Sequence, residues 1–170
     1  MRKYAYLDLR RGNGWPRPEE LEPYFLRPPG QCWAFKSGND NAGLAAERVD
    51  GTEDLDPNDG RIDVDLDMWG HPDLGVLLIH SKWGGGVKEM CSSKGDLTRL
   101  RERVRSKQGT LLPVGLFIPH GTAWEAVKEF METDGELPTG IEWIANRNLP
   151  RGTFPDQSAA TAASRCNCRY

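Results

Sequence analysis

Residues 50–70 read DGTEDLDPNDGRIDVDLDMWG, and they hold the densest chemistry in the chain. Asp63, Asp65 and Asp67 alternate with Val64 and Leu66. In a strand such alternation puts three carboxylates in a row on one face. Carboxylates in that number could hold a hard cation. Asp54, Asp56, Asn58 and Asp65 even fall at the first, third, fifth and twelfth places of an EF-hand-like loop. The sixth place is Asp59 where that loop needs Gly, and the twelfth is Asp where it uses Glu. Pro57 and a strand pattern replace the flanking helices. Magnesium held by aspartates usually works on a phosphate cradled by a glycine-rich loop, and KWGGGVK (82–88) lacks the G-x-x-x-x-G-K-[ST] spacing. No metal or other cofactor is expected.

Nucleophiles and general bases are no better organised. His71, His80 and His120 have no His partner at metal-ligand spacing, and neither the H-x-E…P-C-x-x-C deaminase pattern nor a G-x-S-x-G elbow occurs. Of the four cysteines, Cys32 and Cys91 are far apart. Cys166 and Cys168 form a lone Cys-x-Cys without zinc-ribbon spacing. These two tail thiols flank a single Asn. They support an alternative reading, a pathway enzyme or carrier whose tail binds a soft metal or accepts a modification. Otherwise the residues name no catalytic group, and a binding protein is the reading they favour over an enzyme.

Charge is polarised around a formal net −3. Residues 47–67 carry Glu47, Asp50, Glu53, Asp54, Asp56, Asp59, Asp63, Asp65 and Asp67 against Arg48 and Arg61. Residues 94–107 carry Lys94, Arg99, Arg101, Arg103, Arg105 and Lys107 against Asp96 and Glu102. Clustered charge of one sign steers partners of the other. The overall acidity argues against direct nucleic-acid binding. With 38% hydrophobic and 28% charged residues the chain reads as globular, and no apolar run approaches the roughly 20 residues of a membrane span. The opening MRKYAYLDLRRGNG lacks a signal-peptide core, so the expected address is cytoplasmic.

These residues need elements to position them. Alternation predicts strands over 2–9, 44–49, 61–69 and 74–83, with Val76–Ile79 apolar on both faces and therefore central. Further strands are read at 31–36, 111–118 and 139–145. Pro18 opens a short helix over 19–26. Leu97, Leu100 and Val104 at helical spacing predict a second helix over 96–106. A third runs over 122–133, with Thr122 and Glu125 as a capping box and Ala123, Val127, Phe130 and Met131 as its buried stripe. The expected class is α+β: a mostly antiparallel sheet with about three helices packed on one face. One domain spans 1–150, and 151–170 is a loose tail that Phe154 could anchor.

The stretch VGLFIPHGTAWEAVKEFMETDGELPTGIEW (114–143) resembles the closing signature of a bacterial immunity-protein family, immunity protein family 1. Pro119, Ala126, Val127, Phe130, Gly135, Pro138, Glu142 and Trp143 carry the likeness, which extends more loosely over 40–149. Glu136, the acidic stretch 50–60 and the tail depart from the pattern. The resemblance implies an antitoxin of a polymorphic toxin system, one that blocks a cognate toxin, often a nucleic-acid deaminase, without chemistry of its own. It names no contact residues. The acidic face supplies the candidates: Asp54, Asp56, Asp59, Asp63, Asp65, Asp67 and Trp69. A basic toxin groove is the natural complement of such a face.

Overall fold

The computed structural model describes residues 1–7, 10–33, 40–49, 51–56 and 58–155, without the side chains of Arg10 and Arg11. Among these, nine strands and two α-helices form: β1 (Arg2–Leu7), β2 (Arg10–Asn13), α1 (Pro18–Phe25), β3 (Asn41–Glu47), β4 (Asp63–His71), β5 (Gly75–Gly84), β6 (Val87–Ser93), β7 (Arg103–Arg105), β8 (Leu111–Pro113), α2 (His120–Glu132) and β9 (Trp143–Ala145). Seven strands make one antiparallel sheet in the order β2-β1-β3-β4-β5-β6-β9, and β7 and β8 pair separately. The class is the α+β arrangement that the alternating patterns predict.

β4 shows why alternation is a reliable signal. Val64, Leu66 and Met68 are buried beneath the helices, while Asp63, Asp65 and Asp67 are only half-buried on the opposite face. Leu21 and Phe25 of α1 and Ala123, Val127 and Phe130 of α2 close over this apolar face, which Leu44, Val76 and Leu78 extend across β3 and β5. β5 is buried on both faces. Its Leu77 and Ile79 point the other way and pack under Leu112, Leu116 and Phe117. The second face is therefore covered at its β5–β6–β9 end, by the 97–117 segment, and Phe154 packs there too.

Three expectations are corrected. Residues 96–106 are not a helix: a 3-10 turn over Leu97–Arg99 leads into β7. A Cβ on Gly95 would lie 2.2 Å from the Phe117 carbonyl oxygen, and one on Gly115 would lie 2.5 Å from that of Asp96. Two backbones meet here at a distance only glycine permits, leaving no room for a helix's girdle of side chains. The alternating Arg101, Arg103 and Arg105 are a strand signal after all. Second, α2 begins at His120 after Pro119, so Thr122 lies inside its first turn and the Thr122–Glu125 capping box is not used. Third, several strands are shorter or displaced. Residues 31–33 are a turn, with 34–36 outside the described residues. The 111–118 strand breaks at a 3-10 turn over Val114–Leu116, and 139–145 keeps only β9.

Helix ends set the loops that follow. The Glu20 carboxylate accepts the Arg17 backbone N–H at 2.9 Å, closing the start of α1. At the end of α2, Asp134 takes φ +57° and the Gly135 N–H bonds back to the Phe130 carbonyl at 2.9 Å, a Schellman-type stop. Glu129 then holds the returning chain. It accepts the Thr139 N–H and hydroxyl, each at 2.7 Å, and the Gly140 N–H at 3.0 Å. Those three donors, the Thr139 backbone first, hold its carboxyl below the ordinary range. Glu129→Ala is expected to cost about 1 kcal/mol, low for charged hydrogen bonds because water reaches the site. Amide exchange checks this directly: Thr139 and Gly140 should exchange faster in the variant while Val127 is unchanged.

Candidate protein-binding surface

The part of the second sheet face that the described residues leave uncovered carries the charged row. Register places Arg2, Tyr4 and Tyr6 of β1, Ala45 and Gly43 of β3, Asp63, Asp65 and Asp67 of β4, and Trp83 and Ser81 of β5 on this side. The three aspartates meet different fates. Asp63 is engaged: Arg61 donates to its Oδ2 through Nε (3.1 Å) and Nη2 (2.7 Å), and the Arg48 N–H donates to Oδ1 (3.0 Å). Asp67 accepts the Tyr6 hydroxyl. Gly43 makes that bond possible, because a Cβ there would lie 2.3 Å from the Tyr6 ring lying across it. Burial first, then the Asp67 charge, raise the Tyr6 hydroxyl well above its ordinary range, and burial raises Asp67.

Asp65 is different. It stands between the small side chains of Ala45 and Ser81, and among the described residues its carboxylate has no hydrogen bond or ion pair. Burial, then the Asp67 charge, push its carboxyl up to about 6, and Lys88 only partly opposes them. Unfolded, the group titrates at its ordinary value of 3.8. Between these values the folded chain holds a proton that the unfolded chain has lost, so the stability contribution falls as pH rises through this window and stays lost above it. Asp65→Asn is expected to be more stable than the parent at pH 7.5, by at most about 3 kcal/mol, with the difference vanishing near pH 4. Urea unfolding at the two pH values measures it.

The other candidates divide in the same way. Asp54, Asp56 and Asp59 are exposed on the loop between β3 and β4. Arg48 Nη1 pins that loop through the Glu53 carbonyl at 2.6 Å. Trp69 packs against the second cluster, opposite Leu77, so its ring is spent on the core. Among the described residues no group of three or more His, Cys, Asp or Glu is placed to hold a metal ion. Cys166 and Cys168 lie outside the described residues. Cys91 is in β6, and burial raises its thiol, which leaves little thiolate. Its cross-strand neighbour His80 is buried and held neutral by that burial, and its Nε2 bonds the Gly135 carbonyl at 3.1 Å. His80 is thereby tied to the loop after α2, while Cys91 beside it is only partly buried.

Sequence reasoning missed Trp83. It is 40% exposed at the end of β5, directly across from Asp63 and Lys88. Its parity with Leu77 and Ile79 was readable. That this parity also matches the aspartate row follows only from the β4–β5 register. Leu55, on the acidic loop, and Val87, across the Gly85–Gly86 turn, are exposed apolar neighbours of the same end.

An exposed aromatic, a carboxylate without a partner among the described residues and an acidic loop lie together at one end of the sheet. The model of a family described as Immunity protein Imm1 matches residues 38–145, and the chain belongs to that family. The match runs from the start of β3 to the end of β9, so it includes the aspartate row and Trp83. Comparison with curated proteins and with solved structures gives no match. Among the described residues no helix is long and apolar enough to cross a membrane.

Proposed function

We propose that this chain neutralises a cognate polymorphic toxin, a nucleic-acid deaminase, by seating the open sheet face over the toxin's basic active-site groove. Asp65 carries the reading. A half-buried carboxylate without a partner, beside two further aspartates, lowers the stability of the free chain, and a toxin cation placed against it would return that loss. Asp54, Asp56 and Asp59 steer the approach, and Trp83 supplies the apolar anchor. Asp63 and Asp67 contribute negative potential while their oxygens remain engaged within the chain.

Family membership supports a toxin as the partner, because immunity proteins protect against toxins. The acidic face supports a toxin that acts on nucleic acid, since such enzymes present basic grooves. The test uses the toxin-like domain encoded by the neighbouring reading frame. Purified, it should deaminate single-stranded nucleic acid, and an equimolar amount of this chain should abolish that activity. Full activity in the presence of excess chain would overturn the reading, as would the absence of any toxin-like frame beside the gene.

A further inference from the structure

β6 is covered along only part of its outer edge. β9 pairs with Cys91, Ser92 and Ser93 and then passes into a 3-10 turn over Asn146–Asn148, whose Asn146 side chain accepts the Ser92 hydroxyl at 2.7 Å. The Lys94 N–H donates to the Glu142 carbonyl at 3.0 Å, which sets the phase of the ladder. Backbone groups alternate sides along an antiparallel strand, so Lys94, Ser92, Met90 and Lys88 all turn their N–H and C=O away from β5. Ser92 meets β9. Lys88 and Met90 lie beyond it, and among the described residues no backbone group pairs with theirs. The inward phase is satisfied, with Val87, Glu89 and Cys91 opposite Gly84, Lys82 and His80.

Both flanks of this free edge are shaped for side chains. On the helix-bearing side, Ile62, Lys82, Val87 and Glu89 line a cavity of about 230 Å³ that reaches Gly60 at the end of the acidic loop. That is below the roughly 300–1,000 Å³ of small-molecule sites and suits one side chain. On the other side Trp83 lies directly across from Lys88. Val87, at the open end, is 61% exposed. A strand laid along this edge would alternate its side chains between cavity and tryptophan.

We propose that an extended segment of the toxin adds to β6 along Val87–Met90, pairing with the outward backbone groups of Lys88 and Met90. It places an apolar side chain in the cavity and a basic one against Glu89 and the acidic loop. This rests on the toxin-binding reading and deepens it. Strand addition draws its affinity from backbone hydrogen bonds and its specificity from the pockets for alternate side chains. A second copy of the chain fits poorly: two-fold pairing centred on the charged residues sets Lys88 against Lys88 or Glu89 against Glu89.

The test follows amide exchange in the full chain, alone and with the toxin domain from the neighbouring frame. The Lys88 and Met90 amides should gain about 100-fold protection in the complex. Lys88→Pro removes an outward N–H without touching the β5–β6 ladder and should weaken binding about tenfold or more, while Lys88→Ala should stay within about threefold. Toxin binding with both amides still unprotected, or with Lys88→Pro binding like the parent, would overturn the inference and leave the toxin reading standing. Protection in the chain alone that grows with its concentration would assign the edge to a second copy and also overturn it. If the parent chain does not bind the toxin domain, both proposals fall together.

Discussion

Gly70→Ala is expected to destabilise the fold by about 3–5 kcal/mol, lowering the thermal midpoint by roughly 10 °C. A Cβ at Gly70 would lie 1.9 Å from the Trp33 indole, far inside van der Waals contact. Trp33 is 1% exposed and cannot retreat: Phe25 meets it edge-on at 5.3 Å, and Tyr24 lies at 6.1 Å. Its backbone already sits at φ +54°, a left-handed conformation that a bulky residue adopts only when packing compensates. The ring must therefore leave its seat, and the cost approaches that of deleting a buried tryptophan. Calorimetry measures the midpoint. An unchanged value would mean that Gly70 does not support Trp33.

The second large effect concerns binding. Trp83→Ala should weaken toxin affinity about 100-fold, or about 2.7 kcal/mol, while the thermal midpoint moves by no more than about 2 °C. The asymmetry follows from its position. The ring is exposed at a strand end and the chain's two apolar clusters do not include it, so the free fold loses little. In a complex it would be among the largest apolar groups this face can bury. Charge reversal at Asp54, Asp56 and Asp59 should act differently, slowing association and steepening no other step, with the effect fading at high salt. Surface-plasmon kinetics separate the two, since the tryptophan should appear in the off-rate.

The parts of the fold legible in the sequence were those where one local pattern decides. Val64, Leu66 and Met68 alternate with aspartates and so define a half-buried strand; Val76–Ile79 is apolar throughout and so defines a central one. Ala123, Val127 and Phe130 mark α2 by spacing alone. The failure at 96–106 came from reading Leu97, Leu100 and Val104 as one stripe. The Gly95–Phe117 and Gly115–Asp96 approaches that forbid a helix join residues about twenty apart in sequence. β6 was missed because VKEMCSS has mixed polarity, and its partner is supplied by the Gly85–Gly86 hairpin.

The candidate site divides the same way. The aspartate row was visible as a row. The unequal state of its members was not, because Arg61, Arg48 and Tyr6 reach Asp63 and Asp67 from other elements. Reversing all three aspartates together would therefore disturb the contacts with these three residues as well as any interface. Asp65 is the member whose change breaks no internal hydrogen bond among the described residues.

That substitution is the most direct test of the account. Titration calorimetry of the toxin domain into the parent chain and into Asp65→Asn, each with its urea stability at pH 7.5, gives two numbers per protein. Opposite signs are expected: the variant folds more stably yet binds the toxin about tenfold to 100-fold more weakly. A variant that gains stability and binds as tightly as the parent would contradict it, because the unpaired carboxylate would then serve no partner.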